Sequence, residues 1–366
     1  MILKALKHIV TLLLVLLACA TLYSAWSVRM PPSELGAQCL CWFAFPYMWL
    51  ALLASAIITF AFRSWFQFLC CVAACAASWG SAGRVIDIPH GGDGELPEGG
   101  SFKLLTYNIH YMNYASEMTA GHVRDSICGF LLSSDADVIC LQEAPPLSAM
   151  VWWPQAGQPI KRLLETYPHI VSSGKDGGGQ AILSKKPLRK AELDGMGKGY
   201  ERSIIAADIY AGDDTVRIVN CHLASLALSG EQIDAVSSDR TMDENRLTTL
   251  RKAYDKMSIA FAAREKEAEK IAESLPLTHN ETIVCGDFND TPISYTYRTI
   301  TCGRKPLTDA RNPRRVGLAR TYRGNLPPLR IDYILASGGL TTAEYAEHDM
   351  PMSDHKALAA SFATRR

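Results

Sequence analysis

Hydrophobic positions fall into two regimes along this chain. In the first, long apolar blocks run from Ile9 to Val28, Cys39 to Phe62 and Phe66 to Ala82. A bilayer-crossing helix needs roughly 20 such residues, which the first two supply and the third approaches while carrying one glutamine, Gln67. Trp26, Trp42, Trp65 and Trp79 lie near the block ends, where amphipathic rings suit a membrane interface. From residue 101 onward the blocks give way to short apolar runs separated by polar loops. Strands are expected at Phe102–Tyr107, Val138–Leu141, Gln180–Leu183, Ser203–Tyr210, Val216–Cys221, Thr282–Cys285, Ile331–Leu335 and Ala357–Phe362. Many are rich in Val, Ile and Leu, as strands covered on both faces are. Helices are expected at His122–Ser133, Pro159–Thr166 and Arg246–Ser274. The last ends in REKEAEKIAESL, whose acid–base pairs at helical spacing read as a solvated covering helix. The acidic stretch Glu231–Glu244 before it reads as a surface loop.

These patterns divide the chain into a membrane anchor over 1–86, a Gly/Pro-rich linker over 87–100 and a domain over 101–366. Lys4 and Lys7 precede the first block and Arg63 follows the second, favouring a cytoplasmic N terminus; Arg29 and Arg84 oppose that bias. Three crossings leave the large domain outside the cytoplasm, whereas two leave it inside. LLAC at Leu16–Cys19 has the look of a lipoprotein cleavage box, but two further apolar blocks follow it directly, which favours an uncleaved anchor.

The chain has 366 residues and zero formal net charge. The first 100 residues carry five charges of each sign and the rest 32 of each, so neither part shows the basic excess of a strong non-specific nucleic-acid binder. Eleven cysteines without regular spacing make neither a disulfide framework nor a zinc pattern. Cys140, Cys221 and Cys285 lie in strand runs and read as small core residues.

Chemistry gathers where the strands end. Asn108 closes KLLTYN, Gln142 and Glu143 close VICLQE, and Asn220 and His222 lie in RIVNCHL. Asp287 and Asn289 follow IVCG, Asp332 opens DYIL, and Asp354 and His355 precede the final strand. In α/β sheets ligands and catalytic groups collect at strand ends. Any one of these residues alone is common as a cap, a turn former or a core hydrogen-bonder. All six segments in one domain are not.

The blocks TYNIH, LQEA, NCHL, GDFNDTP, RIDYIL and SDHKA, over about Phe102 to Phe362, resemble the successive signatures of the endonuclease/exonuclease/phosphatase superfamily. That resemblance implies a four-layer α/β/β/α sandwich of two packed mixed sheets, here preceded by transmembrane helices. It implies metal-dependent hydrolysis of a phosphoester, with Mg²⁺ or alternatively Mn²⁺. Glu143 would be the main metal ligand, with Asn108 and Asp354 completing or orienting its shell. Asp287 would be the base, with Asn289 holding water or phosphate beside it and Phe288 turned inward. His355 would donate to a phosphate oxygen, oriented by Asp332, and His222 would stabilise the transferring phosphate or protonate the leaving group. Asn220 would position His222 or be structural, and Asp290 would serve the turn before Pro292.

The substrate expected is a phosphodiester in nucleic acid, or alternatively a phospholipid or other small phosphoester, with the bilayer as a partner of the N-terminal helices. An inactive phosphate-binding module is the rival from another class, but no expected ligand or base is lost. A transporter is disfavoured because the apolar blocks have no ionisable residue near their centres.

Overall fold

A computed structural model describes residues 2–89, 96, 101–113, 120–147, 158–173, 179–197, 199–211, 214–226, 228–237, 243–276, 281–324 and 328–365. Most of the expected linker, residues 90–95 and 97–100, lies outside these.

The N-terminal part is a bundle of α1 (Ile2–Ser27), a short α2 (Pro32–Leu35), α3 (Cys41–Ala61), α4 (Trp65–Ala77) and α5 (Trp79–Val85). Two helices, over Lys4–Ser27 and Gln38–Ala61, are long and apolar enough to cross a membrane. The third expected span is broken: α4 and α5 meet at a bend of 66°. Leu12, Leu13, Ile57, Ile58, Phe66 and Leu69 are exposed and form an apolar outer surface on the bundle. Polar groups between the helices are paired, as an apolar surround requires: Gln67 donates to Thr11 Oγ1 at 2.7 Å, and the Trp42 indole to Ser27 Oγ at 2.9 Å.

The following domain is built on two six-stranded sheets. One has the order β13 (Leu340–His348), β14 (Ala357–Thr364), β2 (Phe102–Asn108), β3 (Val138–Ala144), β5 (Gly179–Ser184), β4 (His169–Ser172). The other has the order β10 (Leu307–Asp309), β12 (Asp332–Ser337), β9 (Glu281–Asp287), β8 (Asp214–His222), β7 (Ile204–Ala211), β6 (Leu188–Ala191). Each sheet has one central parallel pair, β2–β3 and β8–β9, flanked by antiparallel neighbours.

Strand alternation sorts the apolar residues into three layers. Leu104, Cys140, Ile218, Ile283, Cys285 and Ile334 meet between the sheets. Leu105, Ile139 and Leu141 point the other way, onto α6 (Ala120–Ser133) and α7 (Gln158–Thr166) through Ile127, Leu131, Ile160 and Leu163. On the opposite side Val219, Val284 and Leu335 pack under α9 (Glu244–Ser274) and α10 (Tyr295–Thr301) through Ala268, Ile271 and Ile300. The result is the expected four-layer sandwich.

Three expectations change. The stretch from Glu231 is not simply a loop, since α8 (Gly230–Ser237) occupies its first part; residues 238–242 lie outside the described residues. The expected linker begins in structure: β1 (Ile86–Asp87) pairs with β11 (Gly317–Leu318), and Asp87 pairs with Arg311. And α9 is not merely a solvated cover, because Arg264 and Glu267 on it are buried.

Candidate active site

The two parallel pairs end side by side, and their last residues make the site. Asn108 ends β2 and Glu143 lies at the end of β3. His222 ends β8 and stands in register with Asp287, which ends β9. Asp332 opens β12 opposite Asp287, and His355 lies just ahead of β14.

Local backbone features aim these groups. The register of β3 against β5 slips between Gln142 and Ala144, and Glu143 in that bulge has φ 48°. A bulge of this kind turns one side chain out of the alternation. Gln142 then reaches between the sheets to Asn220 Oδ1 at 2.6 Å, while Glu143 Oε1 accepts from Asn108 Nδ2 at 3.3 Å. Asn220 also donates to the Leu141 and Ala181 carbonyls, so it staples the sheets together. Gly286 has φ 124°, and a Cβ there would lie 2.0 Å from the Cys221 carbonyl oxygen. Only glycine lets β9 run that close to β8.

The carboxylate of Asp287 is the hub. Its Oδ2 accepts from Asn108 Nδ2 at 3.1 Å and lies 3.7 Å from His355 Nε2 and 3.8 Å from His222 Nε2. Its Oδ1 accepts the Asn289 backbone N–H at 2.8 Å. Burial pushes the Asp287 carboxyl up from its ordinary range, against the pull of His355. On His355, burial works against the charged form, but Asp332 and Asp287 outweigh it and hold the imidazole up at about 10. Asp332 receives His355 Nδ1 at 3.1 Å to either oxygen, which fixes the ring. His222 Nε2 also lies 3.6 Å from Glu143 Oε1.

All eight residues singled out from the sequence lie in this one region. Phe288 does turn inward, fully buried with its ring 4.8 Å from that of Tyr333. Asn289 reaches the site through a left-handed backbone: its φ is 53°, and its amide donates to the Leu223 carbonyl at 3.0 Å. Asp290 does more than serve a turn. Fully buried, it accepts from Thr296 Oγ1 at 2.8 Å and Arg264 Nε at 3.3 Å. His110 had not been singled out. Its Nδ1 lies 3.7 Å from Glu143 and 3.5 Å from Asp354, and Asp354 raises it above the ordinary histidine value. It was already visible as the last residue of TYNIH.

Carboxylates outnumber fixed cations here. Glu143, Asp287, Asp332 and Asp354 face three imidazoles and one carboxamide. Asp354 Oδ1 is buried and accepts no hydrogen bond among the described residues. Such an oxygen-rich, under-neutralised set suits a hard divalent cation. The triad Asp287, Asp332 and His355 brings its ligand atoms within 4.8 Å of one another. The hydrogen bond between Asp332 and His355 already occupies two members of that triad.

Residues 105–355 match the Endonuclease/Exonuclease/phosphatase family, more than half of the 366-residue chain, and the chain belongs to that family. Its members are typically divalent-metal-dependent hydrolases of phosphoester bonds. No curated protein matches the chain. Among solved structures it is similar to humanized TDP2 of D. rerio, at 17% identity and TM-score 0.46, over 73% of this chain and 100% of that one. It is similar to an endonuclease/exonuclease/phosphatase from Beutenbergia cavernae, at 15% identity and TM-score 0.45, over 72% of each chain. One from Bacteroides vulgatus shares 18% identity at TM-score 0.45, over 72% of this chain and 99% of that one.

Proposed function

We propose that this protein is a membrane-anchored, divalent-metal-dependent phosphodiester hydrolase. The observation that carries the reading is the convergence on the Asp287 carboxylate of Asn108, His222 and His355, each from a different strand end. Glu143, Asp354 and Asn108 would hold the metal, Mg²⁺ or Mn²⁺, which when bound neutralises the phosphate and favours attack on it. Asp287, buried and raised in pKa, takes the proton of the attacking water, and Asn289 helps hold that water. The new bond joins water oxygen to phosphorus, and an ester P–O bond breaks. His355, kept charged by Asp332, donates to a phosphate oxygen as negative charge builds. His222, 3.8 Å from the same Asp287 oxygen, supplies the proton that the leaving oxygen needs.

The test uses the full chain in detergent with Mg²⁺ and bis(p-nitrophenyl) phosphate. Asp287→Ala and Glu143→Ala should each lower kcat by roughly a hundredfold or more, since such terms supply several kcal/mol. Rates within tenfold of the parent in both variants would sink the assignment.

The anchor reading is supported by α1 and α3, with α4 and α5 together as the third crossing. The catalytic domain packs on the turn between α1 and α3. Ser33 donates through its N–H and its hydroxyl to Glu265 at 2.8 Å each, and Trp42 and Phe43 both meet Phe261 at ring separations of 6.2 Å. That turn lies across the bilayer from the N terminus if α1 crosses, which favours a catalytic domain outside the cytoplasm.

A further inference from the structure

The site and the membrane bundle share a wall. The cavity over Asp287 has a volume of about 200 Å³, and Glu143, Asp287, Asp354 and His355 line its polar part. His110, Ser225, Asn289 and Tyr322 add further polar groups, and Leu226, Leu228, Ile233, Leu329 and Phe43 make an apolar side. Phe43 is not part of the catalytic domain. It is the third residue of α3, one of the two helices long and apolar enough to cross a membrane.

That position sets a depth. Helix α3 has 21 residues. At about 1.5 Å per residue it is roughly 31 Å long, close to the roughly 30 Å of a bilayer's hydrocarbon core. Phe43 then lies about 3 Å along the axis from the end of the helix. The turn that carries Asp287 continues into Ile293, which packs in the same cluster as Trp42 and Phe45 of α3. On the anchor reading above, with α3 crossing the bilayer, the carboxylates open at headgroup level beside that helix.

We infer that the substrate is a phospholipid of the bilayer in which the protein sits. This rests on the phosphodiesterase reading above and assigns that site its substrate class. The phosphodiester enters between Glu143 and His355, while the acyl chains stay along Phe43 and the neighbouring apolar rim without leaving the membrane. Water adds across one P–O ester bond of the headgroup linkage, and the lipid part remains in the bilayer. Duplex DNA fits this cavity poorly. It is a stiff rod with a persistence length of about 50 nm, and it would have to bring a backbone phosphate into a recess bordered by the bilayer. No lysine or arginine lines the recess among the described residues, although phosphate-tracking grooves are basic.

The test reconstitutes the full chain with Mg²⁺ into vesicles of equal parts phosphatidylethanolamine, phosphatidylglycerol, phosphatidylcholine and sphingomyelin. Phosphorus NMR reads hydrolysis of the vesicle lipids. Bis(p-nitrophenyl) phosphate and plasmid DNA are assayed in the same preparation. The expected result is lipid turnover with kcat/KM at least tenfold above that for plasmid. Phe43→Glu and, on the loop after β8, Leu226→Glu should each lower the ratio of lipid to soluble-ester hydrolysis at least tenfold. Cleavage of the soluble ester or plasmid with the vesicle lipids untouched would overturn the lipid assignment and leave the phosphodiesterase reading standing. So would an unchanged ratio in both variants. No hydrolysis of any of the three would overturn both.

Discussion

His355 shows how one side chain is set for its task by its neighbours. A free histidine titrates at roughly 6.5 and would be mostly neutral in a neutral medium. Burial lowers that value further, yet Asp332 and Asp287 outweigh burial and hold His355 up at about 10. With Nδ1–H engaged by Asp332, only the charged ring also has an N–H at Nε2 to donate to phosphate, so kcat/KM that depends on His355 should persist through neutral pH and fall as pH rises through about 10. Asp332→Asn removes the first of the raising charges while keeping the shape. Its alkaline limb should move down toward the ordinary histidine value, roughly 6.5. Stability follows the same sign. A group raised on folding stabilises fully below its unfolded value and loses that contribution as pH rises through its folded one. The parent should therefore lose thermal stability on the alkaline side through a window that closes near 10. A pH–rate profile of both proteins decides this, and coincident alkaline limbs would remove His355 from its assigned role. The residues that meet here, His110 apart, stand out in the sequence because each lies in a short block next to an apolar run. The site's geometry was not readable: the left-handed backbone at Glu143 and Asn289 depends on a bulge and a turn that neither run announces.

Within the two six-stranded sheets, the strands missing from the sequence expectation have one thing in common. β4, β6, β10 and β13 are the four outer strands of the two sheets. An outer strand has one neighbour and more solvent, so it needs no continuous apolar run and carries residues such as Arg189, Lys190 and Glu344. The eight expected strands are the inner ones, where burial on both faces writes itself into composition. Helix α9 misleads for a related reason. Its charges read as solvent-facing, but Arg264 is fully buried and bridges two catalytic segments. Its Nε binds Asp290, three residues past Asp287, and its Nη1 donates to the carbonyl of Ala224, two residues past His222, at 2.7 Å. Glu267 on the same helix accepts the Ala224 N–H at 2.8 Å. Removing one partner from such a buried pair costs about 3–5 kcal/mol, because the other charge is left stranded. Arg264→Met should therefore lower the melting temperature by several degrees and reduce kcat more than it changes KM. Arg264→Lys should rescue little, since an ammonium cannot span both acceptors with a planar fork. Thermal unfolding and steady-state kinetics test this together. A methionine variant with parental melting and kcat would show that α9 only covers the sheet.

The bundle and the catalytic domain are joined at several independent points, and this constrains how the chain lies in a bilayer. Charge alone was indecisive: Lys4, Lys7 and Arg63 argue one way, Arg29 and Arg84 the other. Whether α4 crosses was also open, and at 13 residues, roughly 20 Å, it is too short by itself. The packing supplies what charge does not. The turn after α1 is tied to α9 by Ser33 and Glu265, and the start of α3 is tied to it by Trp42, Phe43 and Phe261. The chain after α5 joins the domain again through β1 and β11. On the anchor reading proposed above, a domain held against the first interhelical turn shares that turn's side of the membrane, and a crossing by α1 would place the turn opposite the N terminus. The second joint then requires α4 and α5 to return the chain to the same side, as a broken third span would. The expected outcome for a C-terminal fusion is activity of a reporter that works only outside the cytoplasm, and silence of one that works only within it. The same pair fused at the N terminus should give the opposite pattern. A cytoplasmic signal at both ends would mean that α1 and α3 do not cross as a pair. It would then also remove the depth argument that sets Phe43 at the headgroup boundary.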